Sequence, residues 1–150
     1  MLTSLVTSSL ARACQSRLDT TLALLREMVE INSFTLNRVG VDAVANLTAR
    51  AFASLDFEAA RVPAENPEHA AHLVLERPGT GGPAVAFISH LDTVYTPEEE
   101  RLHDFAWREE QDRIYGPGTL DVKGGTALVH LILSVLRETH PSLFDSVRWL

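Results

Sequence analysis

The sequence has a single cysteine, no run of Lys or Arg, and no long apolar stretch. Lone Cys14 excludes an internal disulfide, so nothing in the chain calls for an oxidising compartment. The 13 basic residues stand scattered against 20 acidic ones, for a formal net charge of -7. That balance argues against a nucleic-acid partner, because phosphate binding needs a concentrated basic surface. A membrane-spanning helix needs about 20 consecutive apolar residues, and none is present. Residues 1–14 end in small side chains at Ala11 and Ala13. They lack a basic start, and Thr3, Ser4, Thr7, Ser8 and Ser9 interrupt them, so they do not read as an export signal. A cytoplasmic protein is the expectation. The one concentration of charge, Glu98, Glu99 and Glu100, reads as a solvated loop.

What is present is globular. Hydrophobic residues make up 45% of the 150 positions and charged ones 22%, enough for one domain with a real core. Leu22, Leu25, Met28 and Val29 recur at helical spacing over 19–31, with Asp19 or Thr20 as cap. A second helix is expected over 41–55, with Val44, Leu47, Ala51 and Leu55 on one face. The period then shortens. Residues 57–62 and 72–76 read as strands around a Pro63–Pro67 turn, and the stretch from Glu76 to Ala84 reads as a Gly- and Pro-rich loop. Residues 84–88 form a continuous apolar run, which suits a central strand covered on both faces. Ile114–Tyr115 reads as another strand, and a helix follows Gly125 to Thr139, stopped by Pro141. Residues 146–150 read as a strand cut short, as in a truncated chain. The predicted fold class is α/β, a partial three-layer sandwich with a mixed, mostly parallel sheet flanked by helices.

Two segments carry chemistry. In "ISHLDTVY", residues 88–95, a strand runs out into His90, Leu91 and Asp92. Side chains alternate along a strand, so His90 and Asp92 share a side while Leu91 turns inward. An imidazole paired with a carboxylate suits a metal ligand whose other ring nitrogen is held by an acceptor; a locally bonded strand-end His beside a turn-capping Asp is the plainer alternative. In "YGPGTLDVKGGTA", residues 115–127, four glycines and a proline surround Asp121. A carboxylate there sits between a strand end and a helix start, where α/β proteins place ligands. Its two oxygens can bridge two cations about 3.5–4 Å apart. A phosphate-binding loop fits poorly: Lys123 precedes Gly124 rather than following the final glycine, and Asp121 stands where a dinucleotide loop has Gly or Ala.

The HxDT motif at His90 to Thr93, followed by GxxDxKGG at Gly118 to Gly125, resembles the zinc-dependent carboxypeptidases and deacylases. That family includes glutamate carboxypeptidase, aminoacylase, acetylornithine deacetylase and succinyl-diaminopimelate desuccinylase. "HLDTVY" and "YGPG" are most similar to the glutamate carboxypeptidase branch. The resemblance implies that His90 ligates one zinc, that Asp92 orients His90, and that Asp121 bridges two zincs, with Co or Mn as substitutes. It also implies a cis peptide after the bridging Asp, here Asp121-Val122. Residues 1–150 would then be the N-terminal portion of a catalytic domain, without the Glu pair, the later ligands or the dimerisation domain. The implied function is cleavage of amide bonds, in peptides or N-acyl amino acids that carry a free carboxylate. The implied chain is inactive alone, and complete family members are often homodimers. A non-catalytic remnant or partner unit is the alternative. Of the remaining candidates, His69 and His103 read as exposed and His130 as packed on its helix. His140 reads as a helix-end residue, Lys123 as a solvated loop lysine, and Trp107 and Trp149 as packing residues.

Overall fold

The computed structural model describes residues 2–150, with side chains from residue 9 onward. Helix α1 (Leu2–Val29) is far longer than its apolar stripe predicts, and Asp19 and Thr20 lie inside it rather than capping it. Packing extends it. Ala13, with half-buried Leu10 and Cys14 beside it, lies against Leu131 and Val135 of helix α4 (Lys123–Thr139). Further along, Leu25 and Val29 meet Ala127. A long apolar neighbour can hold a segment helical that its own Ser and Thr content would not. Helix α2 (Arg38–Ala53) starts at Asn37, whose side chain accepts from the Gly40 N–H. It meets α1 through Met28, Val44 and Leu47. No helix among the described residues is long and apolar enough to cross a membrane.

The strands at 58–62 and 72–76 match expectation, those expected at 84–88 and 146–150 are shorter, Ser146 belongs to a helix, and a strand at 108–110 was not expected. Strands β1 (Glu58–Val62) and β2 (His72–Glu76) pair antiparallel. Strands β3 (Ala84–Val85) and β6 (Arg148–Trp149) pair parallel, and an isolated antiparallel bridge links Arg77, just after β2, to Trp149 in β6. The two pairs remain two-stranded sheets linked at that one bridge, with antiparallel and parallel pairing both present and helices beside them. Hairpin β4 (Arg108–Glu110) and β5 (Arg113–Tyr115) stands apart from them. Parallel pairing is confined among the described residues to β3–β6 and a single bridge between Phe34 and Thr93.

The expectation of a strand covered on both faces at 84–88 needs correction. Ladder bonds do continue, from Phe87 N–H to Leu150 O at 2.9 Å. Yet Ile88 is 99% exposed and Phe87 42% exposed, so an apolar run here does not report burial on both sides. The acidic cluster is also no loop. Glu98 to Glu100 form the first turn of helix α3 (Pro97–Leu102), started by Pro97 and a reciprocal cap between Thr96 and Glu99. Acidic side chains at a helix N-terminus complement its partial positive charge.

The main core joins Phe52, Leu55, Phe57, Leu133, Phe144, Val147 and Trp149. Phe144 belongs to helix α5 (Pro141–Ser146). Its ring lies between the Arg77 guanidinium, 4.4 Å away, and the Trp149 ring, 5.9 Å away. The Gly-rich loop before β3 lies directly on the α5–β6 turn. A Cβ at Gly79 would sit 2.4 Å from Ser146 O, so only glycine lets the two backbones approach this closely.

Candidate metal centre

The chain leaves β3, passes His90 and Asp92, and is tied down at Thr93. Thr93 N–H donates to Ser33 O at 2.8 Å, and Thr35 N–H donates to Thr93 O at 3.1 Å. Leu91 turns inward against the Met28 cluster, which sends His90 and Asp92 the other way. Their side chains meet: His90 Nδ1 is 3.0 Å from the Asp92 carbonyl oxygen and 3.2 Å from Asp92 Oδ1. The opposite nitrogen, Nε2, is 2.9 Å from Asp121 Oδ1. The structure therefore brings all three predicted residues together. Side-chain exposure rises outward, from 32% at Asp92 through 49% at His90 to 83% at Asp121.

Asp121 stands at the end of the glycine-rich loop, and the Asp121-Val122 peptide is cis, as the resemblance implies. Gly118 has φ +80°, and a Cβ there would meet the Lys123 side chain at 2.8 Å. Lys123 is therefore no solvated loop lysine. It is 1% exposed, and its Nζ donates to Ile31 O at 2.9 Å. Sequence gives no hint of this, because the carbonyl that receives the ammonium lies 92 residues away. Burial lowers the Lys123 pKa from 10.5 to about 8, against a smaller opposing pull from Glu100.

The direction has a consequence for stability. Between pH 8 and 10.5 the unfolded chain holds a proton that the folded chain has released, so stability rises with pH across that window. Below it both states are charged and the fold carries the full cost, roughly 3 kcal/mol at one pKa unit per 1.36 kcal/mol. Lys123 is the chain's only lysine, so its titration is readable in isolation. NMR of a chain labelled at lysine Cε should show a midpoint near 8, and urea denaturation should show a gain from pH 8 to 10. A midpoint above 10 would mean that the side chain is in water.

Burial works against a charge on His90, but its bonds to Asp121 and to the Asp92 carbonyl, with both carboxylates nearby, outweigh it. Its pKa lies above the usual value. The other histidines play no part. His130 packs edge-on to Phe52, with Nε2 3.2 Å from Ala51 O, and burial lowers its pKa. His69 is half-buried beside Asn66, and His103 and His140 are exposed at helix ends. Trp149 is buried in the core, while Trp107 packs on the Leu25 cluster and donates to Glu109.

Two residues at the site escaped sequence reasoning. Thr35 Oγ1 donates to Asp92 Oδ2 at 2.5 Å, and Asn32 Nδ2 donates to the Tyr95 carbonyl oxygen at 3.0 Å. No local pattern marks either, since the partners lie about sixty positions downstream. The site opens into a cleft of about 240 Å³ that includes Val94, Tyr95, Phe105 and Leu120. A larger and mostly apolar cavity, about 530 Å³, lies between α2, α4 and the sheet, with His90 and Asp92 at its edge.

The donor chemistry suits zinc in part. One imidazole nitrogen and one carboxylate oxygen match zinc's ligand types, and bonds of 2.0–2.2 Å put two ligands of a tetrahedral ion roughly 3.3 Å apart. The 2.9 Å between Nε2 and Oδ1 is close to that spacing. Among the described residues no set of three or more His, Cys, Asp or Glu side chains is arranged to hold a metal ion. The cluster is a pair of donors with Asp92 behind it.

Comparison with known proteins supports the resemblance drawn from the two motifs. Residues 86–150 match the family model described as Peptidase family M20/M25/M40. The chain is 32% identical over 114 residues to carboxypeptidase G2 of Pseudomonas sp. (strain RS-16), covering 76% of this chain and 27% of that protein. It is 36% identical over 106 residues to succinyl-diaminopimelate desuccinylase of Gluconobacter oxydans (strain 621H), covering 70% of this chain and 27% of that protein. The chain thus spans about a quarter of the length of these relatives. The crystal structure of human carnosine dipeptidase 1 superposes with a TM-score of 0.74 at 17% identity, over 95% of this chain and 33% of that one. The mixed α/β fold is shared with it.

Proposed function

We propose that this chain, similar over residues 86–150 to the hydrolases of Peptidase family M20/M25/M40, builds part of the metal site of an amide-bond hydrolase. One observation carries the reading: both ring nitrogens of His90 face acceptors, Asp92 at Nδ1 and Asp121 at Nε2. A neutral imidazole has one N–H and cannot serve both. Either the ring is protonated, which its raised pKa favours in the metal-free chain, or Nε2 and Asp121 would together hold a cation. His90 Nε2 and Asp121 would hold that ion, and the exposed second oxygen of Asp121 can reach another. Asp92 keeps the ring proton on Nδ1 and so leaves the Nε2 lone pair free to bind. Zinc, or Co or Mn in its place, supplies Lewis acidity toward an amide carbonyl.

No carboxylate beyond Asp92 and Asp121 hydrogen-bonds this group among the described residues, so the group has no separate proton acceptor for hydrolysis. The expected substrates are peptides or N-acyl amino acids with a free carboxylate, cleaved in a carboxypeptidase-like manner once the site is complete. These 150 residues alone should bind zinc weakly and show no turnover. Calorimetric zinc titration followed by assay on an N-acyl amino acid and a glutamyl peptide checks both. Turnover at ordinary enzymatic rates, about 1–1,000 per second, would overturn the inactivity. The uncovered apolar side chains of Ile88 and Phe87 favour a second reading, a unit that serves only in association with another polypeptide. Zinc binding absent at millimolar metal would turn the case toward it.

A further inference from the structure

The two ligand-bearing loops share an anchor that neither motif contains. The connection between α1 and α2 passes beneath both. Its second residue, Ile31, receives the buried ammonium of Lys123, two positions after Asp121. Its sixth, Thr35, donates from its hydroxyl to Asp92 Oδ2, two positions after His90. Between them, Ser33 O and the Thr35 N–H bond the backbone of Thr93 on both sides, as a short parallel bridge. The contacts close into a ring: Asp121 to His90, His90 to Asp92, Asp92 to Thr35, along the connection to Ile31, and through Lys123 back to Asp121.

We propose that Thr35 is a positioning residue of this site, acting through Asp92 on His90. The inference rests on the metal reading given above for its functional meaning, though not for its geometry. A carboxylate turns freely about its terminal bond unless something holds one oxygen. Thr35 holds Oδ2, through a bond as short as charge-assisted hydroxyl–carboxylate bonds become. Oδ1 is thereby left facing His90 Nδ1 at 3.2 Å. With Asp92 fixed, both its carbonyl oxygen, 3.0 Å from Nδ1, and Oδ1 hold the ring proton on Nδ1, and the ring presents Nε2 to Asp121. The reference frame matters as much as the bond. Because Ile31 is tied to the Asp121 side by Lys123, the hydroxyl of Thr35 orients the imidazole relative to the residue it must meet.

Thr35→Val keeps the branched shape and removes the hydroxyl, while Thr35→Ser keeps the hydroxyl. The probe is Co²⁺ alone, followed by its visible spectrum and by calorimetry on the full 150-residue chain. A parallel measurement reads the tautomer of His90 by ¹⁵N NMR in the metal-free chain, at a pH that leaves imidazoles neutral and with His90→Gln for assignment. Thr35→Val should weaken Co²⁺ about tenfold, within the range typical of residues behind a ligand, and should alter its spectrum. It should also lower the fraction of His90 protonated on Nδ1. Thr35→Ser should restore all three, and the melting temperature should change little. Unaltered affinity and tautomer in Thr35→Val would overturn the inference. If the parent chain binds no Co²⁺, the metal reading falls, and the tautomer alone decides whether Thr35 positions His90.

Discussion

Replacing Asp121 by Ala should abolish metal binding, reducing affinity at least 100-fold. Residues that merely support a ligand typically cost 10–100-fold when removed, and Asp121 would be one of two direct donors. The same change should leave the fold intact. Its side chain is 83% exposed, and exposed substitutions away from special features usually stay within about 0.5 kcal/mol. Loss of metal without loss of stability would separate a binding role from a structural one. Calorimetry gives the affinity and stoichiometry, and a melting curve gives the control. Should affinity and stoichiometry survive in Asp121→Ala, the cation between Asp121 and His90 has no basis, and the hydrolase reading loses its chemistry.

The second large effect is on folding. Phe144→Ala should destabilise the chain by about 3–5 kcal/mol, the range for removing a buried aromatic ring. Phe144 is fully buried, beneath Arg77 on one side and Trp149 on the other. Its backbone carbonyl also receives the Trp149 indole N–H at 2.9 Å, so a shift of α5 would disturb the β6 strand as well. Against a typical total of 5–15 kcal/mol, that is enough to leave a sizeable unfolded population. Urea titration gives the value directly. Leu128→Ala makes the contrast, because Leu128 is 53% exposed on α4 and should cost well under 1 kcal/mol. A Phe144→Ala cost equally small would mean that the stack over Trp149 is not where the core's stability resides.

Much of the architecture was readable because its signals are local. Strand β2 and the apolar stripes of α2 and α4 follow from periodicity, and Pro141 marks the end of α4, while the short helix α5 that it begins was not expected. Helix α3 was missed although its signal was present: Thr96 and Glu99 stand at the spacing of a reciprocal cap with Pro97 at the first position. Strand β4, Arg108–Glu110, is exposed throughout and has no alternation to reveal it. The first half of α1 depends on a partner, α4, more than a hundred residues away, and Ser and Thr there point the other way when read alone. The site shows the same division. His90 and Asp92 share a side because a strand alternates, and the glycines announce a special loop around Asp121. That the two segments lie within 2.9 Å is a tertiary fact carried by the family resemblance rather than by spacing. Thr35 and the burial of Lys123 depend on contacts 57 and 92 residues apart, and no local rule reaches them.

The enclosed ammonium of Lys123 also governs how the folded molecule meets reagents. Its only lysine is 1% exposed, so amine-directed acylation should not reach that side chain while the fold is intact. A lysine-specific protease would likewise find its single target only when the helix start opens, which makes cleavage at that point a gauge of how often the glycine-rich loop comes apart.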